Sequence, residues 1–285
     1  MRAMNLPFCA WIAAMRRAQV WVMFHEVAMP RRPWREWKKN AGAVVTRVMA
    51  GMLAIRADKI FVSIPAWEET LRQVVPRWHG ATWLPIPSNI SADDPASVRS
   101  RPLSGDHPVI GHFGTYGRSI RPLVKGVLTQ LLRADAARTA ILVGRGGESL
   151  AHELDMDPAL SGRVSATGTL EMDAVADRLR ACDLLVQPYP DGVSTRRTTV
   201  MAGLALGVPI ATNDGHLTES VWREREIVEL ATSPDGVAAA AETILRDLPR
   251  ATLRAEHGRV YYRERFSLEH SIETLRAAAA GTGAP

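Results

Sequence analysis

Asp191-Gly-Val-Ser-Thr-Arg-Arg197 sets two guanidinium groups side by side, just after two hydroxyls and a carboxylate. The apolar run Leu184–Gln187 precedes it, so Ser194 or Thr195 is suited to cap a helix that begins there. Arg196 and Arg197 would then occupy the first helical turn, where the dipole disfavours a cation by a few tenths of a kcal/mol, roughly. An anion held beside them would explain two arginines in that place. A diphosphate could accept both guanidinium forks and the unpaired helix N–H groups. The competing explanation is a solvated surface pair.

Three further places end a strand-like run. Gly111, Gly114 and Gly117 follow or close Val109–Phe113, and their missing Cβ atoms would let backbone N–H groups approach an anion. An ordinary tight turn has the same composition, and the spacing is not G-x-G-x-x-G. Gly144-Arg-Gly-Gly147, which carries Arg145, closes Thr139–Val143. His25, with Glu26 beside it, ends Gln19–Phe24; a satisfied structural histidine is the alternative reading there.

Such residues need elements to position them. Helix-forming segments alternate with short apolar runs: Leu6–Met15, then Gln19–Phe24, then Asn40–Arg56 with Val44, Val48, Met52 and Ile55 on one face. Lys59–Ser63, Trp67–Val75, Arg121–Leu132 and Asp173–Cys182 continue the pattern. Strands Val208–Thr212 and Ile227–Leu230 and a helix over Gly236–Leu245 complete it. That alternation predicts a parallel α/β sheet, in which ligands bind beyond the carboxyl ends of the strands. A helix ending at Gly207 before Pro209 fits a C′ glycine.

The chain has 285 residues, 46% hydrophobic and 23% charged, which excludes disordered, collagen-like and coiled-coil classes. Two cysteines, Cys9 and Cys182, exclude a disulfide framework and fit a reducing compartment. The apolar run Ala41–Ile55 is too short for a membrane span and is broken by Arg47. The start reads as mature protein rather than as a signal peptide, because Arg16 and Arg17 close its apolar patch early. Residues 88–107 are polar and rich in Pro, Ser and Asp, which sets the expected domains at 1–95 and 108–285 around a linker at 96–107.

Charge is uneven. Residues 1–100 carry 14 Lys/Arg against 7 Asp/Glu and seven of the eight tryptophans. In Arg31-Arg-Pro-Trp-Arg-Glu-Trp-Lys-Lys39, Trp34 and Trp37 would share a helical face with cations beside it. That suits peripheral contact with an anionic membrane surface, against the alternative of a solvated basic face.

Taken in order, these segments resemble glycosyltransferase family 4. The landmarks are Phe24-His-Glu26, Ala57-Asp-Lys-Ile-Phe-Val-Ser63, Trp83-Leu-Pro-Ile-Pro87 and His112-Phe-Gly-Thr-Tyr-Gly117. Leu142-Val-Gly-Arg-Gly-Gly147, Ala181–Pro190, Asp191–Arg197 and Met201-Ala-Gly-Leu-Ala-Leu-Gly-Val-Pro209 complete them. The resemblance implies an α/β fold of GT-B type, two Rossmann-like doubly wound domains facing a cleft, with the first domain incomplete at this length. It implies a cytoplasmic glycosyltransferase, in place or peripheral at the inner face of the membrane. Sugar would pass from a nucleoside diphosphate sugar to a sugar, lipid-linked or other hydroxyl acceptor, with retention of configuration. No cofactor, metal or nucleic acid is expected, and Asp155-Met-Asp157 is not placed to hold a metal.

The family's Glu-x7-Glu falls on Ser194 and Ala202 when counted back from Gly207, or its first carboxylate on Asp191 with an insertion. A branch with Asp-Gly-x-Ser-x-Arg-Arg is the nearer match. Carried over, the resemblance makes His25 and Asp191 catalytic. Gly114, Thr115, Gly117, Arg145, Ser194, Thr195, Arg196 and Arg197 would hold the donor diphosphate. A sugar-nucleotide epimerase on the same fold and a non-catalytic nucleotide-sugar-binding protein remain the alternatives.

Overall fold

The computed structural model describes residues 5–28, 37–90 and 107–281. Residues 31–36 of the basic cluster lie outside this range, and with them the shared face of Trp34 and Trp37. All of the expected linker 96–107 except His107 does too. The chain divides into two compact units, residues 1–85 with 273–285, and residues 86–272.

The first unit holds a parallel three-stranded sheet in the order β1(Trp21–Phe24)–β2(Lys59–Val62)–β3(Thr82–Trp83). Between them run α2(Trp37–Arg56) and α3(Ala66–Arg72), while α1(Leu6–Ala14) precedes β1 and lies against α2. Phe24, Val27, Val62, Leu71 and Val75 build the core. The helix forms as expected, and the face that carries its valines is not the one turned to that core. Val44, Val48 and Ile55 are exposed, and Ala43, Ala50 and Ala54 are buried instead. Small residues let a helix axis come closer to a sheet than valines would, so alanines take the inner stripe.

The second unit is a parallel six-stranded sheet in the order β6(Val164–Gly168)–β5(Thr139–Val143)–β4(Val109–Phe113)–β7(Leu184–Gln187)–β8(Ile210–Asn213)–β9(Glu229–Ala231). This is the doubly wound order, with its reversal between β4 and β7. Residues 140–143 of β5 and 184–186 of β7 are continuous apolar runs because helices cover both faces of the sheet there. On one face α4(Arg121–Ala134), α5(Gly147–Asp155) and α9(Val237–Arg246) pack over Ile110, Leu142, Leu184, Val186 and Ala211. On the other lie α6(Met172–Arg180) and α7(Thr198–Ala205). Gly203 lets α7 settle on the sheet, since a Cβ there would come 2.8 Å from Ile210 and 2.9 Å from Leu185. α8(Ser220–Glu224), before α9, and α10(Leu248–Arg265), after it, complete this unit, and α11(Leu268–Ala279) begins in it and ends in the residues of the first. Cys9 in the first unit and Cys182 in the second are both buried, unbridged thiols.

Candidate functional site

At the carboxyl end of β7 the chain turns through Pro188–Arg197 before α7 begins. Here the expected cap is corrected. The helix starts at Thr198 with Arg197 in the N-cap position, extended and without a capping side chain. Ser194 and Thr195 do not cap it, and neither arginine lies in its first turn. The reason is long-range: Glu219, at the start of α8, takes both the N–H and the hydroxyl of Thr195. That ties Thr195 to α8, and a turn closed by the Arg197 N–H on the Ser194 carbonyl at 3.0 Å delays the helix to Thr198.

The anion beside the two arginines comes from the chain itself. Asp191 Oδ2 accepts from Arg196 Nη2, and Asp191 Oδ1 accepts from Arg197 Nη2. Arg196 is buried, whereas the Arg197 side chain keeps 24% of its exposure and lies over the Tyr189 ring, 4.9 Å from its centroid. Tyr189 is fixed in turn by its hydroxyl, which meets Gln187 Oε1 at 3.2 Å and Thr199 Oγ1 at 2.8 Å. Burial pushes its phenol up to about 12, against the pull of Thr199 and Arg197. Gly192, at φ +89°, packs so tightly on the β8–α8 connection that a Cβ would come 2.4 Å from Gly215 N. The Ser194 hydroxyl is fully buried and meets no hydrogen-bond partner among the described residues.

The glycine loops sit beside this segment. Gly114 lies near α7, where its Cβ would be 3.8 Å from Thr199 Cγ2, and against Gly144, whose Cβ would strike the Gly114 carbonyl oxygen at 2.3 Å. The expected amide cradle is not formed. Gly114 N–H donates to the Val143 carbonyl at 3.0 Å, and Gly117 N–H to the Thr115 carbonyl at 3.0 Å. The first is spent on the end of β5 and the second inside the loop, so neither is left for an anion. Gly117 instead offers its carbonyl to Ile120 and Arg121 at the start of α4. Thr115 and Arg145 are exposed, Arg145 between Gly144 and Gly146, both at positive φ.

Three polar groups of this end were not singled out from the sequence. Glu219 is buried, and desolvation raises its carboxyl in spite of the bonds from Thr195 and from Trp222. His112 is buried beneath Gly114; burial pushes it down to about 3, so it is neutral, and its Nδ1 finds no partner among the described residues. Asp214 is held below its usual range by Arg223. Glu219 owes its role to Thr195, 24 residues away, a contact that no local pattern announces.

His25 belongs to the first unit, directly after β1. Its backbone carbonyl accepts from Ser63 Oγ and from Trp67 Nε1, both at 2.8 Å, and the residue is exposed. A cavity of about 700 Å³ also lies in that unit, at the opposite ends of β2 and β3, beside Lys59, Arg77, Trp78 and His79. None of the expected site residues lines it.

No protein-family model matches the chain, and no curated protein does. Solved structures do. Sucrose-phosphate synthase from Thermosynechococcus elongatus superposes with a TM-score of 0.69 at 18% identity, over 92% of this chain and 67% of that one. HepE of Anabaena, in complex with UDP-glucose, gives 0.64 at 18% identity, over 93% and 73%. A glycosyltransferase from Rickettsia africae gives 0.69 at 13% identity, over 94% and 71%. Identities this low speak for the architecture alone: the chain has the α/β fold of GT-B type, built on Rossmann-like parallel sheets.

Proposed function

We propose that the chain transfers a sugar from a nucleoside diphosphate sugar to a hydroxyl acceptor, with retention and without a metal. The observation that carries this is the arginine pair at the carboxyl end of β7, next to the reversal of strand order. In such sheets that position receives the charged end of a nucleotide. The HepE structure contains UDP-glucose, which makes that compound the first donor to try.

The bond from the sugar to the diphosphate breaks as the acceptor oxygen bonds to the same carbon on the same face. The acceptor proton passes to an oxygen of the departing phosphate. Arg197, with Arg196 behind it, stabilises the charge that develops there, in the manner of oxyanion donors. Arg145 adds a cation from the β5–α5 loop, and Thr115 a hydroxyl. Ser194 and Thr195 line the same segment. His25 acts on the donor sugar or the acceptor.

Release of free UDP from UDP-glucose only when an acceptor is added is the expected result. UDP release that added acceptors leave unchanged excludes transfer to them, and binding without turnover makes the chain a nucleotide-sugar-binding protein. We further propose that the first unit touches an anionic membrane surface. Exposed Phe8 and Trp11 on α1 support this, together with the positive charge of residues 1–100. No helix among the described residues is long and apolar enough to cross a membrane.

A further inference from the structure

Asp191 stands in the place where the proposed ligand would bind. We infer that its carboxylate is an internal occupant of the anion site and sets a charge threshold for ligands. A ligand gains both guanidinium groups only by displacing it. The inference rests on the reading of the arginine pair as a diphosphate site.

The carboxylate uses one oxygen for each arginine. Phosphate oxygens are acceptors of the same kind for the same forks. The arginines cannot simply follow the ligand elsewhere, because Arg196 is buried and Arg197 is seated on the Tyr189 ring. Nor can the backbone at Asp191 withdraw. Its carbonyl accepts from Leu217 N–H at 3.1 Å, and Gly192 beside it is wedged against Gly215. What can move is the Asp191 side chain, which is partly exposed at 19%.

Charge then decides which ligand succeeds. A single phosphate brings little more charge than the carboxylate it replaces and one set of oxygens, and the rotation of Asp191 is left mostly uncompensated. A diphosphate brings more negative charge and a second set of oxygens. Donors remain for them: Arg197 Nε–H is buried and has no acceptor among the described residues, and the Ser194 hydroxyl is in the same condition. Asp191 on this account is a specificity-determining residue. It keeps the site closed to inorganic phosphate and similar small anions while leaving it open to a nucleoside diphosphate.

Calorimetry with inorganic phosphate and inorganic pyrophosphate tests this on the full chain. The wild-type protein should prefer pyrophosphate by about a hundredfold or more. Asp191→Asn, which keeps the shape and removes the charge, should bind both anions about tenfold tighter or better, with the larger gain for phosphate. Asp191→Glu keeps the charge and should stay near the wild-type affinities. Equal affinity of the wild type for the two anions would overturn the inference without any variant. Unchanged or weaker pyrophosphate binding by a folded Asp191→Asn protein would also overturn it, and would make Asp191 a brace for the arginines. If no form binds pyrophosphate, the diphosphate reading falls with it.

Discussion

Glu219 Oε1 accepts from the Thr195 N–H at 2.9 Å and from the Thr195 hydroxyl, joining two loops 24 residues apart. Its other oxygen accepts from Trp222 Nε1 at 2.8 Å. One buried carboxyl thereby holds the segment that leads into the arginine pair. The position of Arg196 and Arg197 is set by α8 as much as by the helix they precede.

This carboxyl should make stability depend on pH. Burial raises it above its ordinary value of 4.5. Between that value and the raised one, the folded protein keeps the proton while the unfolded chain has lost it. Stability is therefore greatest below the window and falls as pH rises through it. Glu219→Gln retains an acceptor and should remove this decline. Urea denaturation of both proteins over a pH series will show it; parallel profiles would mean that Glu219 titrates alike in the folded and unfolded chains.

Replacing Arg196 and Arg197 together with Ala should weaken nucleoside diphosphate binding by ~2–5 kcal/mol, the scale of lost charge-assisted contacts. The single variants should differ. Arg197→Ala should lose affinity with little change in the unfolding midpoint. Arg196→Ala should lower the midpoint, because Arg196 is buried against Asp191. Calorimetry showing full affinity in the double variant would remove both residues from the site.

His25→Ala should cut turnover strongly and leave diphosphate binding near wild type, since the arginine pair lies in the other unit. Folding should survive, because Ser63 and Trp67 bond to the His25 backbone carbonyl and not to its ring. A variant with unimpaired turnover would end the assignment.

Gly144→Ala tests the loop that supports Gly114. At φ +115° an alanine carries a strain of order 1–3 kcal/mol. Its Cβ would also meet the Gly114 carbonyl oxygen at 2.3 Å. The two effects should lower the unfolding midpoint clearly, whereas Gly126→Ala, with open space around it on α4, should not. Equal midpoints for the two variants would contradict the packing at Gly144.

Vesicle sedimentation tests the membrane contact. Binding should require anionic lipid and fade with salt, since each basic residue near the surface contributes ~1 kcal/mol. Phe8→Ser with Trp11→Ser should weaken it further, as both side chains are exposed. Equal recovery in the supernatant with neutral and anionic vesicles would exclude it.

The alternation of strands and helices was readable because buried parallel strands such as Leu184–Gln187 are unbroken apolar runs. Val164–Gly168 escaped for the opposite reason. It is a sheet-edge strand of small and polar residues, partly exposed, and carries no apolar signature. On α2 the valines advertise a core face that belongs to the alanines. The segment Asp191–Arg197 could be placed after its strand from sequence. Its internal pairing, and the start of α7 three residues beyond Thr195, could not, because both depend on the packing of Gly192 and Glu219 against loops far along the chain.

Cys9 and Cys182 are the only thiols, both buried, and they fall in different units. Each is therefore a natural clock for the opening of its own surroundings. Iodoacetamide reaches a sulfur only when the packing around it comes apart. Alkylation at Cys9 times the loosening of α1 on α2, and alkylation at Cys182 times the parting of β4 from β7, where a Cβ at Gly111 would lie 2.6 Å from its sulfur. A single digest of labelled protein separates the two peptides. The order in which the halves of the molecule come undone can thus be read without adding a probe.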